Sequence, residues 1–102
     1  MNKIRVGVVG MGIMGYAHAR IYNSLPYVEL VGCVEVSESK RKSLAGNLPC
    51  PIFSSTNELY DKGIDAVSIC TPDYLHEDAV LEAFLHKIKV LVEKPLAVSV
   101  AS

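Results

Sequence analysis

Residues 4–15 read IRVGVVGMGIMG, and this stretch decides the fold. The apolar, β-branched run Ile4–Val9 predicts a strand buried on both faces apart from Arg5. The following Ile13–Ser24 has the apolar spacing of a helix, and the turn Gly10–Gly15 joins the two. The apolar stripe expected on this helix consists of Ile13, Ala17 and Ile21.

The rest of the chain repeats this alternation of short apolar runs and longer helical stretches. Further strands are predicted over Val28–Val34, Ile52–Phe53, Asp65–Cys70 and Lys89–Val92. Further helices are predicted over residues 37–47, Asn57–Lys62 and about Leu75 to His86. Ser37 and Thr56 are the expected N-caps of the first two, and Gly63 is the expected C-terminal glycine of the second. The alternation indicates βαβ units with parallel strands and right-handed crossovers.

Composition excludes several classes of function. The chain has 102 residues, 50% of them hydrophobic, and a net charge of -1. This length and this hydrophobic content are typical of one folded domain. Its longest basic run is Lys40–Lys42, which argues against nucleic-acid or membrane-surface binding. The N-terminus enters a strand directly and no apolar stretch would span a bilayer, so we expect no signal peptide, no membrane and a cytoplasmic protein.

The cysteines give no sign of a metal centre. Cys33, Cys50 and Cys70 form no C-x-x-C pair and have no ligand spacing with the histidines. An odd number of cysteines without a signal peptide is typical of reduced thiols. We therefore expect free thiols and no metal.

The loop Gly10–Gly15 matches G-x-G-x-x-G, which is a weak signal unless it follows a strand and opens a helix, as it does here. In that context Gly10 permits the tight turn, Gly12 lets the backbone approach a pyrophosphate, and Gly15 lets helix and strand pack closely. The N–H groups at the helix start attract phosphate. The alternative is a plain glycine turn. The candidate cofactor residues of the loop are Gly10, Gly12, Ile13, Met14 and Gly15.

Glu35 stands at the end of the second strand, 20 residues beyond Gly15. A carboxylate at this distance accepts hydrogen bonds from the adenosine ribose and repels a 2′-phosphate. NAD is therefore the expected cofactor and NADP the less favoured one. Lys40 and Arg41 are near enough in sequence to reach a phosphate, which keeps NADP open. Without the glycine loop, Glu35 could also be read as a solvated carboxylate at the end of a strand.

Two further segments follow the later strands, where an open parallel sheet binds its ligands. They are Cys70-Thr71-Pro72 and Glu93-Lys94-Pro95. With these segments the chain resembles the Gfo/Idh/MocA oxidoreductases along essentially its whole length. The matching stretches are VGVVGMGIMG, VELVGCVEVSESKR, DAVSICTPDYLHEDAVLEAF and VLVEKPLA.

The resemblance implies an α/β fold with a Rossmann-type doubly wound parallel sheet, and a role for each segment. Thr71 and Pro72 would line the dinucleotide, with Cys70 beside them as a further cofactor candidate. His76 would lie near the nicotinamide, and Glu93 would help hold the cofactor. Lys94 would point at the nicotinamide and the substrate hydroxyl, aiding hydride transfer at a sugar or polyol carbon. Lys94 and His76 are thus the catalytic candidates.

Chemistry is compatible with these roles, because an ammonium group stabilises a developing alkoxide while the cofactor carries the hydride. Without the resemblance, Glu93 and Lys94 could also be read as solvated residues at the end of a strand. His76 could equally be read as a polar residue at the start of a helix.

Members of this family are longer, with a second, mostly β domain that supplies the substrate pocket. We therefore expect residues 1–102 to be a single NAD(P)-binding domain with about five strands, the N-terminal fragment of a two-domain enzyme. A small-molecule substrate would bind only with the second domain, and an uncovered sheet edge favours a homo-oligomer. Whether the chain alone is an enzyme stays open, and the alternative is a non-catalytic dinucleotide-binding or regulatory module.

Lys87 departs from the family, which usually has glycine at the end of this helix. A left-handed lysine there costs roughly 1 kcal/mol relative to glycine. We therefore expect the turn to be built differently.

Overall fold

The predicted apolar runs form one parallel sheet. The computed structural model describes residues 3–71 and 73–92. The strands are β1 (Ile4–Val9), β2 (Val28–Val34), β3 (Ile52–Phe53), β4 (Ala66–Ile69) and β5 (Lys89–Val92). All pairs are parallel, and the spatial order is β3-β2-β1-β4-β5. This is the order of the doubly wound dinucleotide-binding sheet, so the predicted fold class is confirmed.

Four helices connect these strands. They are α1 (Ile13–Ser24), α2 (Glu38–Leu44), α3 (Thr56–Tyr60) and α4 (Asp73–Leu85). The bounds of α1 are those predicted, whereas α4 begins two residues before Leu75. Within the described part of the chain, no helix has the length and apolar character that a membrane span requires.

Alternation along the strands divides the core between the two faces of the sheet. Val8 and Cys33 lie on the face packed against α1, in a cluster with Ala19. Val9 and Val34 belong to the larger cluster on the opposite face. That cluster also contains Leu59, Tyr60, Ala79, Val80 and Ala83 from α3 and α4.

The predicted apolar stripe of α1 is wrong. Ile13 is 90% exposed and Ile21 is 57% exposed, whereas the helix buries Gly15 and Ala19. The face of α1 that packs against the sheet is the one whose first residue is Gly15, which has no side chain. Close contact between Gly15 and Gly10, the residue that follows β1, therefore determines the orientation of the helix, against the apolar spacing.

The N-cap of α3 is Ser55, and the prediction of Thr56 is wrong by one residue. The Ser55 hydroxyl accepts a hydrogen bond from the Glu58 N–H, and the Glu58 carboxylate accepts one from the Ser55 N–H, which completes a capping box. Gly63 follows with a φ of +79°, as expected after a helix end. For α2, by contrast, the predicted N-cap Ser37 is confirmed, since its hydroxyl accepts from the Lys40 N–H.

Lys87 adopts the left-handed conformation, with a φ of +59°, so the expectation of a differently built turn is wrong. The Lys87 N–H donates to the Phe84 carbonyl at 3.0 Å, and the Ile88 N–H donates to the Ala83 carbonyl at 2.9 Å. These two bonds are those of a Schellman motif with Lys87 at its left-handed position. Ile88 and Ala83 are both buried in the larger core cluster, which supplies the hydrophobic contact of the motif.

Candidate functional site

The loop after β1 turns at Gly10, directly against the end of β4. Gly10 has a φ of +90°, and a Cβ there would lie 2.8 Å from the Thr71 nitrogen and 2.9 Å from the Cys70 carbonyl carbon. Both the backbone conformation and the space therefore demand glycine. Because β1 separates β2 from β4 in the sheet, this contact lies at the point where the strand order reverses, which is where such sheets bind ligands.

Gly15 and Gly12 differ in the space that surrounds them. A Cβ on Gly15 would lie 1.8 Å from the Gly10 carbonyl oxygen, so glycine is needed for the fold itself. A Cβ on Gly12 would meet nothing within 4 Å, and the backbone there, at φ -77° and ψ -161°, suits any residue. The described protein atoms therefore impose no requirement for glycine at position 12, and the space beside it is open to a group that approaches the loop from outside.

The start of α1 is suited to an anion. Gly12 is its N-cap and provides no side-chain hydrogen bond, and the first turn contains no acidic residue. The first N–H groups of a helix carry partial positive charge and need acceptors. Ile13 and Met14, both candidates from the sequence, lie in this turn with 90% and 49% of their surface exposed.

Glu35 is buried, with 7% of its surface exposed, and its carboxylate connects β2 to the glycine loop. One oxygen accepts a hydrogen bond from the Met11 N–H at 3.0 Å, and the other accepts one from the Ser37 N–H at 3.0 Å. Each carboxylate oxygen has a second lone pair, so the side chain retains the capacity to accept from a ligand hydroxyl. Glu35 is thus a fixed group at the carboxyl end of β2 and not a freely solvated one.

The cations near Glu35 differ in their placement. Arg41 donates from one guanidinium nitrogen to the Glu35 carbonyl at 2.8 Å and to the Val36 carbonyl at 3.0 Å. Lys40 is exposed on α2. Arg41 therefore stabilises the backbone just after β2 through the carbonyls of Glu35 and Val36.

Cys70 and Thr71, the two residues that follow β4, have side chains in different surroundings. Thr71 Oγ1 is buried, and within residues 3–71 and 73–92 it has no hydrogen-bond partner. An unsatisfied buried hydroxyl beside the Gly10 turn fits a ligand group as its partner. The Cys70 side chain instead faces α1, with its sulfur 3.8 Å from the His18 Nδ1. Cys70 therefore offers its backbone, and not its thiol, to the glycine loop.

Several predicted site residues lie outside the described part of the chain. They are Pro72, Glu93 and Lys94, and also the side chain of His76, whose backbone belongs to α4. The described candidates that the structure brings together at the carboxyl edge of the sheet are Gly10, Gly12, Ile13, Met14, Gly15, Glu35, Cys70 and Thr71.

Sequence reasoning missed the connection between Met11 and Glu35. Met11 is buried, with 4% of its surface exposed, and its backbone N–H joins the glycine loop to the end of β2. The middle position of a G-x-G motif can hold any side chain, so the identity of Met11 does not indicate this contact. The only sequence signal for it is the presence of a carboxylate at the end of the neighbouring strand. The link fixes the loop before any ligand is bound.

Together these features suit a nicotinamide dinucleotide. Its pyrophosphate would be held by the first turn of α1 beside Gly12, and its adenosine ribose by the Glu35 carboxylate. The residues present thus match both the charge and the hydrogen-bonding groups of such a cofactor.

Comparison with known proteins agrees with the geometry. The model of the Gfo/Idh/MocA family, described as an oxidoreductase family with an NAD-binding Rossmann fold, matches residues 4–102. The chain is 34% identical over 101 residues to the scyllo-inositol 2-dehydrogenase (NAD(+)) of Bacillus subtilis (strain 168), covering 96% of this chain and 30% of that protein. It is 37% identical over 97 residues to the 2,7-anhydro-N-acetylneuraminate hydratase of Escherichia coli (strain K12), covering 94% of this chain and 26% of that protein.

Solved structures show the same similarity. GenD2 from gentamicin A biosynthesis, solved in complex with NAD, has a TM-score of 0.85 and 30% identity over 95% of this chain and 28% of its own. UDP-N-acetylglucosamine 3-dehydrogenase GnnA from Acidithiobacillus ferrooxidans has a TM-score of 0.83 and 32% identity over 96% of this chain and 32% of its own. The chain thus spans about a third or less of the length of these relatives. Its sequence, sheet order and glycine loop place it in the Gfo/Idh/MocA oxidoreductase family, as an NAD-binding Rossmann domain.

Proposed function

We propose that this domain binds NAD in preference to NADP, and that it serves a dehydrogenase acting on a hydroxyl group of a sugar or polyol. The cofactor preference rests on one observation. The Glu35 carboxylate is held in place by the Met11 and Ser37 N–H groups at the carboxyl end of β2, where the adenosine ribose of a bound dinucleotide would lie.

A fixed carboxylate discriminates more sharply than a mobile one, because it cannot move away from a 2′-phosphate. Two unit charges about 4 Å apart interact by roughly 4 kcal/mol at an effective dielectric constant of 20, which is an upper value for a site open to water. Arg41 offsets part of this repulsion, but its guanidinium already donates to the Glu35 and Val36 carbonyls. We therefore expect NADH to bind at least tenfold more tightly than NADPH, a difference of about 1.4 kcal/mol.

Titration of the protein with NADH and NADPH, followed by cofactor fluorescence, measures this preference. Glu35→Gln removes the negative charge and should reduce the preference for NADH over NADPH by about tenfold. Glu38→Gln is the matched control, because Glu38 is exposed on α2 and pairs only weakly with Lys42 at 3.8 Å. The ratio of the two dissociation constants is the informative quantity, since a reduced folded fraction weakens both cofactors equally and cancels. Equal or tighter binding of NADPH by the unmodified protein would contradict the proposal.

The glycine loop gives a second, independent test of cofactor binding. Gly12→Ala adds a methyl group where the protein has room, so the melting temperature should stay close to that of the unmodified chain. The same methyl group stands where the pyrophosphate approaches, so NADH binding should fall at least tenfold. Gly15→Ala, with its 1.8 Å contact, should instead fail to fold. Unchanged NADH affinity in folded Gly12→Ala would show that the ligand does not approach this loop.

The substrate class is inferred from the relatives and from Lys94. The Bacillus subtilis relative is a scyllo-inositol 2-dehydrogenase, and another relative in that organism, 27% identical, is a glucose-6-phosphate 3-dehydrogenase. The bound dinucleotide would accept or donate the hydride. Lys94 would hold the substrate hydroxyl and stabilise the oxygen as it loses its proton, with His76 as a second proton-transfer group.

Oxidation of inositols and hexoses, measured as NADH formation in the protein that carries this domain, tests the catalytic assignment. Lys94→Ala should lower kcat by about 10²–10⁴-fold. Lys89→Ala is the control, because Lys89 is an exposed residue at the start of β5 and should not affect turnover. Full activity in Lys94→Ala would remove Lys94 from the mechanism without affecting the argument for cofactor binding.

A further inference from the structure

Two cysteines that are far apart in sequence meet on the α1 face of the sheet. The sulfurs of Cys33 and Cys50 lie 3.4 Å apart, although 17 positions separate the residues. Cys33 is in β2 and fully buried, whereas Cys50 is only half-buried, between Pro49 and Pro51. The pair thus combines a fully buried cysteine with a partly exposed one.

The backbone holds the two thiols together. The Cys33 N–H donates to the Pro51 carbonyl at 3.0 Å, and Cys33 is the register partner of Ile52 in β3. Cys50 packs against the cluster of buried residues that contains Cys33, on the α1 face of the sheet. A disulfide has a sulfur–sulfur distance of about 2.05 Å, so the sulfurs need to approach each other by little more than 1 Å.

The environments of the two thiols give them different roles. The hydrogen bond between the Cys33 and Cys50 sulfurs lowers the pKa of Cys50 below its ordinary value. The same hydrogen bond, together with burial, raises the pKa of Cys33. Cys50 is therefore the sulfur that is more often a thiolate, and the thiolate is the form that reacts.

We propose that Cys33 and Cys50 form a peroxide-oxidisable dithiol, with Cys50 as the attacking thiol and Cys33 as the resolving thiol. The Cys50 thiolate attacks the hydrogen-bearing oxygen of a hydroperoxide and the O–O bond breaks, so that Cys50 becomes a sulfenic acid. The alkoxide that leaves, or the hydroxide in the case of hydrogen peroxide, takes up the proton that the Cys50 thiol released on ionising and departs as an alcohol or water. The Cys33 sulfur then attacks the Cys50 sulfur. Hydroxide leaves and takes up the Cys33 proton as water. In total, two thiols are oxidised to one disulfide by two electrons, and one peroxide is reduced to an alcohol and a water.

The disulfide would close a covalent loop around residues 34–49, which contain Glu35 and the whole of α2. Cross-linking a loop of this length restricts the unfolded chain and stabilises the fold. We expect the melting temperature of the oxidised protein to exceed that of the reduced protein by about 10 °C. This chemistry requires no dinucleotide, so it stands or falls independently of the cofactor proposal.

The test treats the reduced protein with hydrogen peroxide and maps its peptides by mass spectrometry without reduction. A peptide joined through Cys33 and Cys50, with the loss of two hydrogens and reversal by a phosphine reductant, is the expected product. Cys70 is the internal control, because its sulfur lies 3.8 Å from the His18 Nδ1, whereas the sulfurs of Cys33 and Cys50 contact each other. Oxidation confined to Cys70, or a Cys50 that proceeds to sulfinic acid without a cross-link, would overturn the proposal.

Two variants separate the roles of the thiols. Cys33→Ala removes the resolving thiol, so the Cys50 sulfenic acid should accumulate and be trapped by dimedone. Cys50→Ser leaves Cys33 buried without a reactive neighbour, so Cys33 should resist peroxide and dimedone. Trapping at Cys33 in Cys50→Ser would reverse the assigned order of attack. A change at buried Cys33 can destabilise the fold, so one measurement uses no variant: the melting temperature of the unmodified protein before and after oxidation. If oxidation does not raise that melting temperature, the disulfide-closed loop is contradicted.

Discussion

Replacing Lys87 by glycine should stabilise the protein. Lys87 occupies the left-handed position of the Schellman motif that ends α4, at a φ of +59°. A residue with a Cβ loses roughly 1–2 kcal/mol in this conformation, and glycine does not. Glycine gives back about 0.5–1 kcal/mol through the greater freedom of its unfolded chain. The net gain expected for Lys87→Gly is therefore about 0.5–1 kcal/mol, or a rise of about 2–8 °C in melting temperature.

Urea unfolding followed by circular dichroism measures this gain as a higher midpoint with an unchanged slope. Lys87→Ala is the matched control, because it removes the same exposed side chain and charge but keeps the Cβ. If Lys87→Ala stabilises as much as Lys87→Gly, the charge or the long side chain is responsible and the left-handed backbone is not. No gain in either variant would mean that the strain has been relieved by the surrounding turn.

Two further predictions concern single hydrogen-bonding groups. The Tyr60 hydroxyl donates a hydrogen bond to the Ala79 carbonyl at 3.0 Å, and burial raises the pKa of Tyr60 above its ordinary value. The neutral hydroxyl therefore stabilises the fold fully below about pH 10, the pKa of tyrosine in an unfolded chain. This stabilisation is lost as the pH rises above that value. Tyr60→Phe should cost about 1 kcal/mol and flatten the loss of stability at alkaline pH in urea melts, whereas Tyr27→Phe, at a 58% exposed position, should do neither. Ser55→Ala should cost about 1 kcal/mol and Ser55→Gly only a few tenths, because Ser55 caps α3 by accepting from the Glu58 N–H. Equal costs for the two Ser55 variants in urea melts would exclude a capping role.

The sheet was predictable because parallel strands are covered on both faces. Such strands appear in the sequence as short continuous apolar runs between polar helices, and the bounds of β1, β2, β3 and β5 follow directly from those runs. The glycine loop was predictable for a similar reason, since a strand, the G-x-G-x-x-G spacing and a helix start are all local features.

Features that depend on distant contacts were not predictable. The packed face of α1 is determined by the approach of Gly15 to Gly10, and that approach leaves Ile13 in solvent despite its apolar spacing. The contact between Cys33 and Cys50 depends on the register of β2 against β3, which the cysteine spacing does not contain.

Smaller differences have local causes. Three consecutive hydroxyl residues, 54–56, each offer a cap for α3, and only the reciprocal bonds with Glu58 select Ser55. Lys87 is a poor residue for a left-handed turn, so the sequence argued against a conformation that burial of Ile88 imposes.

The bond from the Met11 N–H to the Glu35 carboxylate has a consequence for protein engineering. Exchanging an acidic residue at this position for a small or basic one is the direct way to admit a 2′-phosphate. In this domain the exchange would also deprive the glycine loop of the acceptor that fixes it, and would leave a buried N–H group without a partner. A redesign for NADP therefore needs a second change that supplies a new acceptor to Met11. Without it, the gain in electrostatic compatibility is offset by a less ordered binding loop.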